Sequence, residues 1–142
     1  NTPVKIGGSK HKPPEAAMVA EEIEHLCEYV NDNWKGMSAE HLSAYVLWKL
    51  NWIHPFADGN GRTARAVSYV AMNIKLDSLL PGTPTIPDQI AGNKAPYYEA
   101  LEKADTALLE KGSIDVGALE QMLHGMLATQ LLSSVKEAKG EA

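Results

Sequence analysis

His54-Pro55-Phe56-Ala57-Asp58-Gly59-Asn60-Gly61-Arg62-Thr63-Ala64-Arg65 is a polar, glycine-punctuated dodecapeptide set between two apolar segments. Upstream lies a run rich in Leu, Val and Trp that ends Leu50-Asn51-Trp52-Ile53; downstream, Ala64, Val67, Val70, Ala71 and Ile74 recur at helical spacing. The pattern predicts helix, tight loop, helix, with the loop opening a helix N-terminus. Gly59 and Gly61 are free to take positive φ and leave the backbone bare. Successive N–H groups can then converge on one anion with the helix dipole behind them. Such an arrangement is a phosphate cradle.

The side chains of the stretch suit a polyphosphate. Arg62 and Arg65, three apart, share one side of the first helical turn and can clamp phosphate oxygens with bidentate hydrogen bonds. Asp58 suits Mg²⁺, which usually takes one or two carboxylates together with phosphate oxygens and water. His54 is a base near physiological pH, placed to take a proton from an attacking hydroxyl while arginines and metal hold the developing charge. Asn60 can donate to a phosphate oxygen, and Phe56, apolar in a polar loop, is expected to anchor the loop in the core. Singly these residues are ordinary, since Asp-Gly makes turns and surface arginines face solvent. Seven specified polar or glycine positions in twelve form a spaced motif, which a plain polar connection does not have.

On those residues, His54 to Arg65 resembles the full Fic motif, HxFx(D/E)GNGRxxR, at every specified position. Fic domains are mostly helical enzymes, and those with the complete motif typically transfer AMP from ATP to a hydroxyl side chain of a target protein. The resemblance implies His54 as general base and Asp58 as Mg²⁺ ligand. It makes Gly59, Asn60 and Gly61 the anion cradle, and puts Arg62 and Arg65 on the outer phosphates. The related Doc proteins, which act as kinases, carry Lys where this chain has Gly61, so the resemblance favours AMP transfer.

Composition sets the bounds. The 142 residues suit one domain, 1–142, with a real core, and 44% of them are apolar. Thirteen basic against 18 acidic residues give a net charge of −5, which disfavours a nucleic-acid partner held by a general electrostatic footprint. Positive charge is local, at Arg62, Arg65 and the Lys10-His11-Lys12 cluster. The one cysteine, Cys27, excludes an internal disulfide, and its neighbours Ile23, Leu26 and Val30 predict a buried structural thiol. No apolar run is long enough for a membrane span and no signal peptide is visible, so no membrane partner and a cytoplasmic location are expected. The start at Asn1 rather than Met suggests a fragment of a longer chain.

Taken in order, Val4 and Ile6 alternate with polar residues before Gly7-Gly8 and predict a short strand or hairpin arm over Val4 to Ser9. By the family resemblance residues 1–14 are the flap over the active site. There Val4, Lys5, Ile6, Gly7 and Gly8 would pair with target backbone by strand addition. An amphipathic helix follows from Glu15 to about Asn33, with His25 on its solvated face among glutamates. The next, from a Ser38 N-cap to about Trp52, is apolar almost all round and should be central; His41 in its first turn receives no catalytic role. The motif helix should reach about Leu76. Leu79 to Gly92, with Pro81, Gly82, Pro84 and Pro87, reads as a rigid connection that breaks helix. Helices then resume after Pro96 and from Asp115 to about Lys139. The expected fold is mainly α, a Fic-type helical bundle with a short N-terminal β-hairpin flap.

The same resemblance implies an adenine pocket walled by Tyr98 and Leu101 and closed by Val4 and Ile6, with Asp105 where some relatives place an Asn. It also implies restraint. Many Fic enzymes are blocked by a helix carrying (S/T)xxxE(G/N), whose Glu pairs with the second arginine of the motif. Ser133 to Ala138 matches that pattern only in part, so the inhibitory helix is expected from a missing N-terminal segment or a separate antitoxin, leaving Arg65 open. Two other readings use the same residues. One is removal of AMP, or transfer of another phosphate-containing group; the other is a non-catalytic ATP-sensing module that recruits a partner. The intact His54 favours an enzyme, because a sensor needs cradle and arginines but no base.

Overall fold

Helices begin and end where capping residues, prolines and glycines interrupt the apolar period. The computed structural model describes residues 11–140. In it, a single 3-10 turn, Ala16–Met18, leads into α1 (Val19–Asn33), followed by α2 (Ala39–Ile53), α3 (Asn60–Lys75), α4 (Ile86–Gly92), α5 (Ala95–Lys111) and α6 (Gly117–Ala138). No strand occurs among the described residues. The hairpin arm expected at Val4 to Ser9 lies outside them.

The core is built on α2. Ser38 Oγ accepts the His41 N–H at 3.0 Å, which starts the helix by satisfying one of its free donors. Leu42, Leu47, Trp48 and Ile53 are then buried on different sides of it, against α1, α3, α5 and α6. Each such side chain removed from water stabilises the fold by about 1.5–3 kcal/mol. Lys49 is buried too. Its charge is met by Glu22 at 3.1 Å and by the face of Trp52, whose centroid is 3.9 Å from Nζ.

Three features depart from the plain apolar pattern. The face that α3 turns inward is Asn60, Ala64, Ser68 and Met72; Val67, Val70 and Ile74, whose spacing predicts the helix, are exposed. The reason lies in α2, which already supplies the apolar surface. Small residues let the two helices approach until Ser43 Oγ donates to the Ser68 carbonyl at 2.9 Å. Cys27 is exposed, not buried. The inward face of α1 runs through Val19, Ile23, Leu26, Tyr29 and Val30, and the residue after Leu26 is rotated away by about 100°.

The proline-rich connection, third, contains α4. Thr85 caps it, and Pro87 stands in the first turn, where its missing N–H costs nothing. The fully buried Gln130 of α6 fastens this segment. Its Oε1 accepts the Ile86 N–H at 2.9 Å, and its Nε2 donates to Tyr69 Oη at 2.8 Å. Gly82, at φ +98°, passes so close to α6 that a Cβ would lie 1.9 Å from the Gln130 carbonyl oxygen.

Candidate active site

The site forms where α2 stops. His54 N–H still donates to the Leu50 carbonyl at 3.0 Å, but the residue takes a left-handed conformation (φ 53°, ψ 57°) and Pro55 prevents another turn. A non-glycine residue there costs about 1 kcal/mol, and in return the imidazole stands at the corner between α2 and the loop. Its Nδ1 is buried with no hydrogen bond of normal geometry among the described residues. Burial first, and the nearby His11 second, push the pKa of His54 below the usual histidine value; the Asn51 carbonyl works the other way and is outweighed. The ring is therefore a neutral base at pH 7.

Asn60, not Phe56, anchors the loop. Its buried carboxamide accepts the Phe56 N–H at 2.8 Å and donates to the Phe56 carbonyl at 2.7 Å. The Phe56 ring, expected in the core, is 49% exposed. It is the Phe56 backbone that is fixed, and the ring is left to solvent. One Nδ2 hydrogen and the Oδ1 of Asn60, the side chain expected to reach phosphate, are thereby used within the loop.

Gly59 turns the chain at φ 78° and caps α3 without a side-chain bond. The first backbone bond of the helix is Thr63 N–H to the Gly59 carbonyl, at 2.9 Å, so the N–H groups of Asn60, Gly61 and Arg62 are left free. No acidic residue lies in that first turn. Gly61 was expected to use positive φ, but it is helical. Its missing Cβ serves another purpose, since a Cβ there would stand 3.0 Å from Arg65 Nη1.

The two arginines part company. Arg62 is 77% exposed and 4.0 Å from Asp58, itself 97% exposed, a weak surface pair open to exchange. Asp58 Oδ1 also accepts the Gly59 N–H at 2.8 Å. Phe56, Asp58, Gly59, Arg62, Thr63 and Ala66 line an open depression of about 560 Å³. Arg65 is half-buried. The hydroxyl of Tyr97, a residue 1% exposed, accepts from Asn51 Nδ2 at 2.7 Å. Burial holds the Tyr97 pKa above its usual value against the pull of Asn51 and of the Arg65 charge. Among the described residues no carboxylate lies within 4.0 Å of Arg65.

The arrangement fits Mg²⁺ to a limited degree. No group of three His, Cys, Asp or Glu that could hold a metal occurs among the described residues. A hard cation that keeps its waters and takes phosphate oxygens needs only one exposed carboxylate, and Asp58 is one.

Two of the four residues expected to wall adenine lie among the described ones. Tyr98 is exposed with its ring centroid 5.5 Å from that of Tyr97, whereas Leu101 packs against the core. Val4 and Ile6 lie outside the described residues. Asp105 is tied to the core: it accepts Trp48 Nε1–H at 2.8 Å, and burial raises its pKa.

Four residues escaped sequence reasoning, three of them near the site. His11 had counted only as part of a basic cluster; its ring stacks on Trp52 at 5.0 Å and its Nε2 donates to the Trp52 carbonyl at 2.8 Å. Asn51 and Tyr97 meet across 46 residues of chain, a separation that no local spacing betrays. His41, given no catalytic role, contacts Tyr29 Oη and the Glu120 carboxylate, linking α1, α2 and α6.

A bare helix N-terminus, two arginines and the His54 imidazole thus stand at one end of a helical bundle. Residues 1–72, just over half of the chain, match the model of the Fic/DOC family, and the chain belongs to that family. It is also similar to the protein adenylyltransferase fic-1 of Caenorhabditis briggsae, at 30% identity over 105 residues. The match takes in 73% of this chain and 19% of that relative, so the chain spans about a fifth of the relative's length.

Proposed function

We propose that the chain is a protein adenylyltransferase that moves AMP from ATP to a Ser, Thr or Tyr hydroxyl of a target protein. One observation carries the reading. The free N–H groups at the start of α3 stand in the same twelve-residue stretch as a neutral imidazole that a mere anion sensor would not need. The phosphates rest on the N–H groups of Asn60, Gly61 and Arg62, with the guanidinium groups of Arg62 and Arg65 on the outer oxygens. The target hydroxyl oxygen attacks the α-phosphorus, the bond from that phosphorus to the bridging oxygen breaks, and pyrophosphate leaves. The hydroxyl proton passes to Nε2 of His54, since Nδ1 is buried. Mg²⁺ entering with ATP supplies charge neutralisation on the phosphates, and Asp58 is the carboxylate to hold it.

The target is expected to dock by strand addition on Val4 to Gly8, and adenine to rest near Tyr98 and Leu101. An inhibitory helix, from an N-terminal segment or a separate antitoxin, would act on Arg65. That Arg65 has no carboxylate partner among the described residues supports a brake supplied from elsewhere. A net charge of −5 supports protein over nucleic acid as target. No helix among the described residues is long and apolar enough to cross a membrane, and ATP as co-substrate suits the cytoplasm.

Incubation with Mg²⁺ and ATP followed by intact mass measurement tests the reading. Addition of one AMP to the protein itself or to candidate targets is expected. A gain of one phosphate alone would point to kinase-like chemistry, and ATP binding with no covalent product would contradict an enzyme.

A further inference from the structure

One face of α3 is apolar and uncovered among the described residues. Val67, Val70 and Ile74 are 43%, 55% and 61% exposed, and residues three and four apart on a helix are neighbours, so they form one strip. The strip leads out of the candidate site. Ala66, Val70 and Ile74 make one row along the helix and Thr63 and Val67 the next, and both Ala66 and Thr63 line the depression beside Asp58 and Arg62. From Val67 to Ile74 the rise is about 10 Å, roughly two turns. Charge changes along it. α3 carries Arg62, Arg65 and Lys75 and no acidic residue, in a chain of net charge −5. Lys75 is engaged with the Trp34 carbonyl and ring, so exposed positive charge gathers at the depression, on Arg62 and the free N–H groups. Asp58 opposes it there only through a weak pair at 4.0 Å, and at the far end an exposed Asp77 follows the helix.

We infer that this face of α3 docks an acidic amphipathic helix of a partner protein, with the acidic end of that helix toward the depression. The partner's role rests on the transfer reading given above, in which it is the target presenting its hydroxyl. Aliphatic residues at i, i+3 and i+7 are what a helix laid along an apolar strip packs against. A second copy of the chain fits less well. Three half-exposed aliphatic side chains fall far short of the roughly 800 Å² per partner that a standard stable interface buries. A contact of that size is transient, as release of a modified target requires. Charge at one end hastens encounter and sets the direction in which the helix lies, while the aliphatic strip holds it.

Fluorescence anisotropy with two labelled helical peptides tests it. Both carry Leu at every third or fourth position; one has Glu in its first turns and the other Lys at the same places. The Glu peptide should bind more tightly than the Lys peptide, and raised salt should weaken it. Ile74→Ala should weaken it about three- to ten-fold, the weight of one partly buried aliphatic side chain, and Val70→Asp, which sets a charge in the strip, should weaken it further. Both variants change exposed side chains and should keep the wild-type melting temperature and ATP affinity. No binding of the Glu peptide, equal binding of the two peptides, or binding that neither variant weakens would overturn the inference. So would a wild-type dimer in analytical ultracentrifugation that Val70→Asp turns into a monomer, since the occupant would then be a second copy. Failure of the transfer reading looks different: the Glu peptide would dock on this face of a protein that moves no AMP from ATP, which keeps the surface and removes the target as its partner. AMP transfer without docking of the Glu peptide would remove the surface and keep the transfer reading.

Discussion

The carboxamide of Asn60 holds both polar groups of Phe56, accepting its N–H at 2.8 Å and donating to its carbonyl at 2.7 Å. The loop from Phe56 to Asn60 is thereby closed into a ring, and the left-handed turn at Gly59 lies within it. Asn60→Ala leaves two backbone groups unpaired, and the protein should lose about 1–3 kcal/mol of stability in urea unfolding. Asn60→Asp keeps the acceptor and should lose less. Unchanged stability with lost anion binding would mean that the amide serves the ligand instead.

The acid limb of the pH–rate profile should lie below 6.5. Transfer needs the neutral imidazole of His54, so activity is present above its pKa and is lost as pH falls through it. Burial and then His11 lower that pKa from 6.5. His11→Ala removes the second cause and should move the limb toward 6.5. The same depression makes stability fall as pH drops below 6.5, since the unfolded chain binds the proton more readily. A limb that stays in place in His11→Ala would show that His11 does not tune the base.

Asp58→Ala should raise the Mg²⁺ concentration needed for half-maximal transfer and leave the melting temperature unchanged. The side chain is 97% exposed, so folding gains little from it. Full activity at low Mg²⁺ would show that the carboxylate does not hold the metal.

Glu137 sits one residue from the end of α6, exposed, and forms no ion pair among the described residues. Glu137→Gly should accordingly leave self-modification unchanged. A large rise, abolished by Arg65→Ala, would show that α6 carries the brake.

Local chemistry made much of this molecule legible. The Ser38 cap, the all-round apolar α2 and the Gly59 turn each follow from interactions within a few residues, and each is found. Errors came where a residue answers to something distant. Val67, Val70 and Ile74 have the period of a core face, but which side of α3 is buried was decided by close approach to α2 through Ala64 and Ser68. Pro87 reads as a helix breaker until Thr85 is seen to cap a turn in which its ring is tolerated. At the site, the motif positions were readable because they are contiguous. Asn51, Tyr97 and His11 were not, since α2, α5 and the N-terminal segment bring them together only in three dimensions.

The most direct test of the account is His54→Ala, assayed for transfer of label from the α-phosphate of ATP alongside calorimetric ATP affinity. Loss of a general base typically lowers the rate by about 10²–10⁴. The account predicts such a loss with ATP affinity unchanged, because the imidazole acts on the hydroxyl and the nucleotide rests on the start of α3. Equal label transfer by wild type and variant would contradict it.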